Sequence, residues 1–195
     1  MRYGDWRARL AGALLGLAFL VGGSEARAGD FRLELSSTAA GTEWRGDVAG
    51  YGSLKLAYRF IDLIGLYVQG HEGYGRVDDR MLTLVSIGGQ IWAPQLGPVR
   101  PYGRLGFLHQ HEESLSVVAD NFGSAIFGVG DGIRHRMGGE LGLGIDVPFY
   151  ERKDSVQLYV AIEASAKLFP DDLGPKVYAG GGVAFGTNFM IPGAP

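Results

Sequence analysis

Apolar and polar residues alternate along most of the chain, most regularly in Ile133–Phe149, IRHRMGGELGLGIDVPF. One face of this stretch carries mainly aliphatic side chains, and the other carries charged residues and glycine. A period of two indicates a β-strand, because successive side chains of a strand point to opposite faces. The stretch is longer than an average globular strand. It suits a transmembrane barrel strand, which crosses the bilayer with roughly 9–11 tilted residues and can extend past it.

The same alternation predicts seven further strands. They cover Phe31–Ser37, Gly50–Phe60, Ile64–Tyr74, Arg80–Ala93, Tyr102–His111, Ser155–Phe169 and Lys176–Phe189. Very short connections such as Ile61–Leu63 make neighbouring strands antiparallel. Thr38–Ala49 is predicted as a loop, and Glu112–Gly132 is the longest connection. The predicted fold is all-β: an eight-stranded antiparallel up-and-down transmembrane β-barrel in one domain.

The first 28 residues have the features of a cleaved secretory signal peptide. Three arginines lie within the first nine residues, Leu10–Val21 is an apolar core, and Ala26–Ala28 has the small-x-small form that precedes a cleavage site. A membrane anchor is the alternative, but the apolar core is short for a membrane helix. The predicted division is a signal peptide over 1–28 and an outer-membrane barrel domain over 29–195.

Composition narrows the function classes. The 195 residues include 33 glycines, about a sixth of the chain against roughly 7% in typical proteins. This glycine content suits closely packed strands of a small barrel, where bulky residues cannot all point inward. The absence of cysteine excludes disulfides and thiolate metal sites. The net charge of −3 and the lack of a basic face argue against a nucleic-acid partner.

The last predicted strand contains the pattern polar-x-Gly-x-x-apolar-x-apolar in Tyr178, Gly180, Val183 and Phe185. With eight amphipathic strands behind a signal peptide, this pattern resembles the eight-stranded bacterial outer-membrane β-barrels of the OmpA transmembrane domain, OmpX and OmpW group. In that group the pattern is a signal read by the insertion machinery. The resemblance departs at the end, because Met190–Pro195 follows Phe189 and these barrels usually stop on an aromatic residue.

The resemblance implies a monomer in the bacterial outer membrane. The implied partners are outer-membrane lipids, lipopolysaccharide, the barrel insertion machinery and periplasmic chaperones, and no cofactor is implied. A soluble lipocalin-like barrel with its apolar face inward is the alternative architecture. The polar face of Ile133–Phe149 has little bulk between its charges, which favours a tight lumen inside and lipid outside. On that assignment, Leu143→Arg is expected to be more damaging than Gly142→Ser on the polar face.

Charged residues on the polar faces are predicted to point into the lumen, the interior of the barrel. They are Arg32, Glu34, Lys55, Arg59, Arg104, Arg136, Glu140, Glu163 and Lys167. Such a lumen is only wide enough for side chains to fill, so these charges must pair. The expected partner of Glu140 is Arg104 on the preceding strand, or Arg59 across the barrel. Glu140 is also expected near Glu163, and an acid/base pair of the two is the alternative to a plug of ion pairs.

Histidines mark the strand segments near the predicted external loops. They are His71, His109, His111 and His135. His109 and His111 share a face, and with nearby carboxylates they are compatible with zinc or copper. Side chains at the headgroup level are the favoured interpretation, and no metal site is predicted.

The Glu112–Gly132 segment is unusually apolar for a surface loop. Its β-branched content favours two strand extensions around a turn at Asp120–Gly123. The alternative is a loop that binds a hydrophobic ligand or a partner.

The expected function is a structural or interaction role at the cell surface, with a charge-plugged lumen and no catalysis. Uptake of small hydrophobic molecules is the alternative that the OmpW-like resemblance implies. A lipid-modifying enzyme is less favoured. The lipid A deacylase family of eight-stranded barrels uses a His-x-Ser pair with a Glu, and no histidine here has Ser at the second position.

Overall fold

The computed structural model describes residues 29–120, 123, 131–152 and 155–190, so the predicted signal peptide lies outside the described residues. The elements are β1 (Asp30–Thr42), β2 (Val48–Ile61), β3 (Ile64–Gly75), β4 (Arg80–Trp92), β5 (Arg100–Ser114), α1 (Leu115–Asp120), β6 (Arg134–Arg152), β7 (Val156–Leu168) and β8 (Val177–Met190). The strands have 12 to 19 residues, against about 5–6 in an average globular strand.

Each strand pairs antiparallel with the next in sequence, and β1 pairs with β8 to close the barrel. Phe31 lies opposite Phe189 at this junction. A closed barrel leaves no strand edge with unpaired backbone groups. The predicted fold class, an all-β up-and-down barrel of eight strands, is confirmed.

The barrel has two distinguishable ends. Both described chain ends and the β2–β3, β4–β5 and β6–β7 connections lie at one end, which we call the turn end. The β1–β2, β3–β4, β5–β6 and β7–β8 connections lie at the other, which we call the loop end. The longest connection, between β5 and β6, is at the loop end.

The predicted loop over Thr38–Ala49 is wrong in extent. β1 continues to Thr42 and β2 begins at Val48, so only a tight turn remains. Arg45 and Gly46 adopt positive φ angles of 53° and 66° in this turn. Small residues obscure the alternation here, because the outward and inward positions of Ala39–Gly41 differ little in polarity.

The first of the two strand extensions predicted over Glu112–Gly132 is correct only at its start. β5 continues to Ser114, but α1 follows directly. Ser114 precedes the first helical residue, a position where a serine side chain commonly caps a helix. The backbone N–H of Leu115 donates to the carbonyl of Asp79 at 3.0 Å and ties α1 to the β3–β4 turn. Residues 121 and 122 of the predicted turn, and 124–130 of the second predicted extension, lie outside the described residues.

The distribution of hydrophobicity is the reverse of that in a water-soluble protein. Leu35, Ile87 and Leu105 on the outer surface are 62%, 62% and 67% exposed, whereas Arg136 and Glu140 in the interior are each 1% exposed. This distribution contradicts the lipocalin-like alternative, which requires apolar side chains inside. In the described residues no helix has the length and apolar composition that crossing a bilayer requires.

Candidate functional site

The interior is filled by ion pairs and aromatic rings at three levels. At the turn end, Arg32 donates to Asp146 at 2.6 Å and to Glu34 at 2.8 Å. Lys55 Nζ lies 2.7 Å from the second oxygen of Glu34. The Arg32 guanidinium also lies 3.8 Å from the centroid of the Tyr159 ring. We call these five residues the turn-end cluster; each of its charges has a partner of opposite sign.

Glycines on the inner face make room for this cluster, and Gly186 provides a test. Gly186→Ala should destabilise the folded barrel by about 1–3 kcal/mol, the range for overpacking a well-packed interior. A methyl group at this position would overlap the ring of Tyr159, whose hydroxyl donates to Glu34 at 3.1 Å. The measurement is reversible urea unfolding in lipid vesicles.

Gly70→Ala is the matched control. Gly70 lies on the outer face of β3, and a methyl group there meets no atom within 4 Å. It should leave the free energy of unfolding nearly unchanged. Equal losses in the two variants would contradict the inward position of Gly186.

The middle level centres on Arg104 of β5. Its guanidinium contacts Glu140 of β6 and donates to Glu163 of β7 at 2.6 and 2.8 Å. The Tyr102 hydroxyl donates to the same Glu163 carboxylate at 2.9 Å. Lys167 lies opposite Glu140 in the β6–β7 register. One arginine therefore holds both carboxylates that the sequence expects to be neighbours.

Glu112 of β5 is the centre of the loop-end level. Its carboxylate accepts hydrogen bonds from Arg136 at 2.9 Å and from Arg80 at 3.0 Å. Arg80 also contacts Asp47 of the β1–β2 turn, and Arg136 donates to Asp171 of the β7–β8 connection at 3.0 Å. These contacts join three strands and two connections, so this end of the lumen is crossed by salt bridges.

The structure places all nine charged residues of the predicted network inside the barrel or at its end. They do not form one network but belong to separate groups. Arg32, Glu34 and Lys55 lie in the turn-end cluster, and Arg59 pairs with Asp30 beside it. The middle level contains Arg104, Glu140, Glu163 and Lys167, and the loop-end level contains Arg136. Arg59 is thus not a partner of Glu140.

Several interior charges are absent from the predicted set. They are Asp30, Asp47, Arg80, Glu112, Asp146 and Asp171. The phase of the alternation identifies four of them, because Asp30, Arg80, Glu112 and Asp146 continue the inward positions of β1, β4, β5 and β6. Asp47 and Asp171 come from connections, where the alternation gives no direction.

The residues of the predicted insertion signal divide between the two faces of β8. Tyr178 is buried, and its hydroxyl lies 3.4 Å from both Arg80 and Glu112. Val183 and Phe185 point outward and are more than half exposed. Gly180 packs against the backbone of Ala39 on β1, so closely that a methyl group would overlap it. A role for these positions in insertion stays a prediction.

The four histidines separate into one interior and three exterior side chains. His71 is buried in the lumen, where Ser53 lies 2.8 Å from its Nδ1 and Glu140 lies 3.7 Å from its Nε2. His109, His111 and His135 lie together on the outer face near the loop end. The shared face of His109 and His111 follows from strand spacing, but the approach of His135 depends on the β5–β6 register.

No protein-family model matches the chain, and no curated protein matches it in sequence. Among solved structures, the barrel is similar to Neisserial surface protein A, with a TM-score of 0.57 and 14% identity over 86% of this chain and 100% of that chain. OprG from Pseudomonas aeruginosa matches with a TM-score of 0.48 and 16% identity over 85% of this chain and 98% of that chain. The likeness to Neisserial surface protein A shows that the chain has the fold of an eight-stranded outer-membrane β-barrel.

Proposed function

We propose that this chain is an integral protein of the bacterial outer membrane, with a lumen closed by ion pairs and a structural or interaction role at the cell surface. The observation that carries the proposal is the inverted distribution of side chains, apolar outside and charged inside. Lipid solvates an apolar surface, whereas the same surface in water drives aggregation. The partners of the outer surface are therefore outer-membrane lipids and, in the outer leaflet, lipopolysaccharide.

The closed barrel supports a monomer. All eight strands have both neighbours within the chain, so no second copy is needed to pair a free edge. Delivery by periplasmic chaperones and insertion by the barrel machinery belong to the same proposal.

The three levels of salt bridges support a lumen that does not conduct. An ion or small molecule passing through would have to separate Arg32 from Asp146, Arg104 from its two carboxylates, and Glu112 from its arginines. Breaking a buried pair leaves an uncompensated charge, which typically costs about 3–5 kcal/mol. Catalysis by Glu140 and Glu163 is also disfavoured, because Arg104 occupies both carboxylates.

Fractionation of the cell envelope and bilayer recording test the two parts separately. The mature protein should sediment with the outer membrane and resist extraction at alkaline pH, and the purified barrel should give no steady conductance in a planar bilayer. Recovery as a soluble periplasmic protein would reject the membrane assignment. Stable single-channel currents would reject the closed lumen and leave the location intact.

Uptake of small hydrophobic molecules remains a second candidate because of one feature. An open, mainly apolar depression of about 400 Å³ lies on the outer surface beneath α1. Its lining includes Gly73, Tyr74, Met81 and Leu115. Mass spectrometry of the purified protein discriminates between the candidates. A hydrophobic molecule bound one to one, and lost in Met81→Glu, would favour uptake, whereas only bulk membrane lipid is expected for a closed structural barrel.

A further inference from the structure

Four side chains form a compact patch on the outer face of the barrel near the loop end. His109 and His111 are outward neighbours on β5, and the β5–β6 register places Met137 opposite His109 and His135 opposite His111. Directly opposite residues of an antiparallel pair have Cβ atoms roughly 4.5–5.5 Å apart. The backbone of two paired strands therefore brings three imidazoles and one thioether together.

The ring nitrogens in this patch are close enough to share one ion. Nε2 of His109 lies 2.7 Å from Nε2 of His111, and one ligand nitrogen from each of the three histidines lies within 4.8 Å of the others. The Met137 sulfur lies 3.0 Å from Nδ1 of His109. A metal about 2.0–2.1 Å from tetrahedral nitrogen ligands separates those nitrogens by about 3.3 Å, so small rotations of the rings bring the three nitrogens to one ion. Nδ1 is the ring nitrogen of His109 that does not face His111, so Met137 reaches the same ion after a change of side-chain rotamer.

Two buried polar groups on this part of β5 lack hydrogen-bond partners. Nδ1 of His111 is buried and has no hydrogen-bond partner among the described residues. Glu113, the next outward residue on β5, is 2% exposed, and neither of its carboxylate oxygens has a hydrogen-bond partner within the described part of the chain. Buried polar atoms are normally hydrogen-bonded, so the unsatisfied Nδ1 of His111 is available to a bound ion.

We propose that His109, His111, His135 and Met137 form a copper site on the outer surface of the barrel. Imidazole suits both zinc and copper, but a thioether is a soft ligand that selects Cu(I). Zinc sites in proteins are built from Cys, His and carboxylate ligands, without methionine. The site is independent of the lumen, because its ligands occupy the opposite face of β5 and β6.

Metal titration of the purified barrel, folded in detergent micelles, tests this proposal. Cu(I) held by a competing chelator under ascorbate should bind at one ion per chain. His135→Ala should weaken Cu(I) binding by at least about 10–100-fold, the loss typical even for residues that only support a ligand. Met137→Leu should weaken Cu(I) binding while leaving Zn(II) binding unchanged. Since metal binds neutral imidazole, affinity should also fall as the pH is lowered.

Glu72→Gln is the matched control. Glu72 is an exposed acid on the outer face of β3 and accepts a hydrogen bond from Thr83 rather than contacting the histidines. Its loss should not change copper affinity. Folding of each variant is checked by its electrophoretic mobility before and after heating. His135→Gln is a second variant that removes the same imidazole. Copper binding unaffected by either His135 substitution, or no binding above that of the chelator, would overturn the proposal. Zinc binding that is as tight as copper binding, with no effect of Met137→Leu, would overturn the choice of copper.

Discussion

Arg104→Met should destabilise the folded barrel by about 3–5 kcal/mol, the usual cost of removing one member of a buried ion pair. Arg104 is 4% exposed and contacts the carboxylates of Glu140 and Glu163. Methionine keeps much of the side-chain volume, so the loss reflects the unpaired carboxylates rather than a cavity. The measurement is reversible urea unfolding in lipid vesicles.

A double-mutant cycle separates this pairing from general damage. Glu140→Gln alone should also be destabilising, and the combination with Arg104→Met should recover part of the loss. The expected coupling is roughly 0.5–3 kcal/mol, as for residues in one salt-bridge network. Arg59→Met is the matched control, because Arg59 pairs with Asp30 at the turn end. Its effect should add to that of Glu140→Gln.

The opposite pattern would contradict the ion-pair assignment. If Glu140→Gln left stability unchanged while abolishing a measurable activity, Glu140 would be a catalytic acid or base instead. Coupling of Glu140 to Arg59 rather than to Arg104 would show that the interior pairs differently in the membrane.

Leu143→Arg should cost about 2–4 kcal/mol in the same unfolding measurement, the cost of a cation at the bilayer midplane on the lipid face of a barrel. Leu143 is 61% exposed and lies midway along the outer face of β6. Lipid cannot solvate a guanidinium at this depth.

Val48→Arg is the control for depth. Val48 is also outward and about half exposed, but it begins β2 at the loop end. An arginine near the interface should cost about 0–1 kcal/mol. Equal costs at Leu143 and Val48 would reject the proposed membrane position.

Gly142→Ser, which the sequence suggests as a mild change on the polar face, is a poor control. A Cβ atom at Gly142 would lie 2.7 Å from Nε and 2.9 Å from Cγ of Arg104. Arg104 is fixed by two carboxylates and cannot easily move. Small residues on the inner face leave space, and long charged side chains from other strands fill that space. The sequence pattern of a single strand does not reveal this.

The number of strands and the face on which each side chain lies were predictable because both follow from a local period of two. The order of the strands was predictable from the short connections. Fifteen residues of β5 or nineteen of β6 repeat the same alternation, so single exceptions such as His135 do not hide it. The turn at Arg45 and Gly46 was less predictable. The Ala, Gly and Thr residues before it are neither strongly apolar nor strongly polar, so they do not show which face of a strand they occupy.

The particular partners inside and outside the barrel depend on long-range register, which alternation does not fix. Asp146 and Arg32 are far apart in sequence, and their contact follows only when β1, β6 and the strands between them are closed into a cylinder. The approach of His135 to His111 likewise requires the β5–β6 pairing. α1 was missed because a six-residue helix is too short for a helical period to appear.

The junction of β1 with β8 has a consequence for the order of folding. Closing it joins the first strand of the barrel to the last, so the cylinder cannot form before β8 has been synthesised. Loop-closure entropy opposes so distant a pairing, and folds dominated by such contacts form slowly. Until then β1 has a free backbone edge, and its outward side chains Phe31, Leu33 and Leu35 are apolar, a combination prone to aggregation in water. The chain is therefore most prone to aggregation between its translocation and the closure of the barrel.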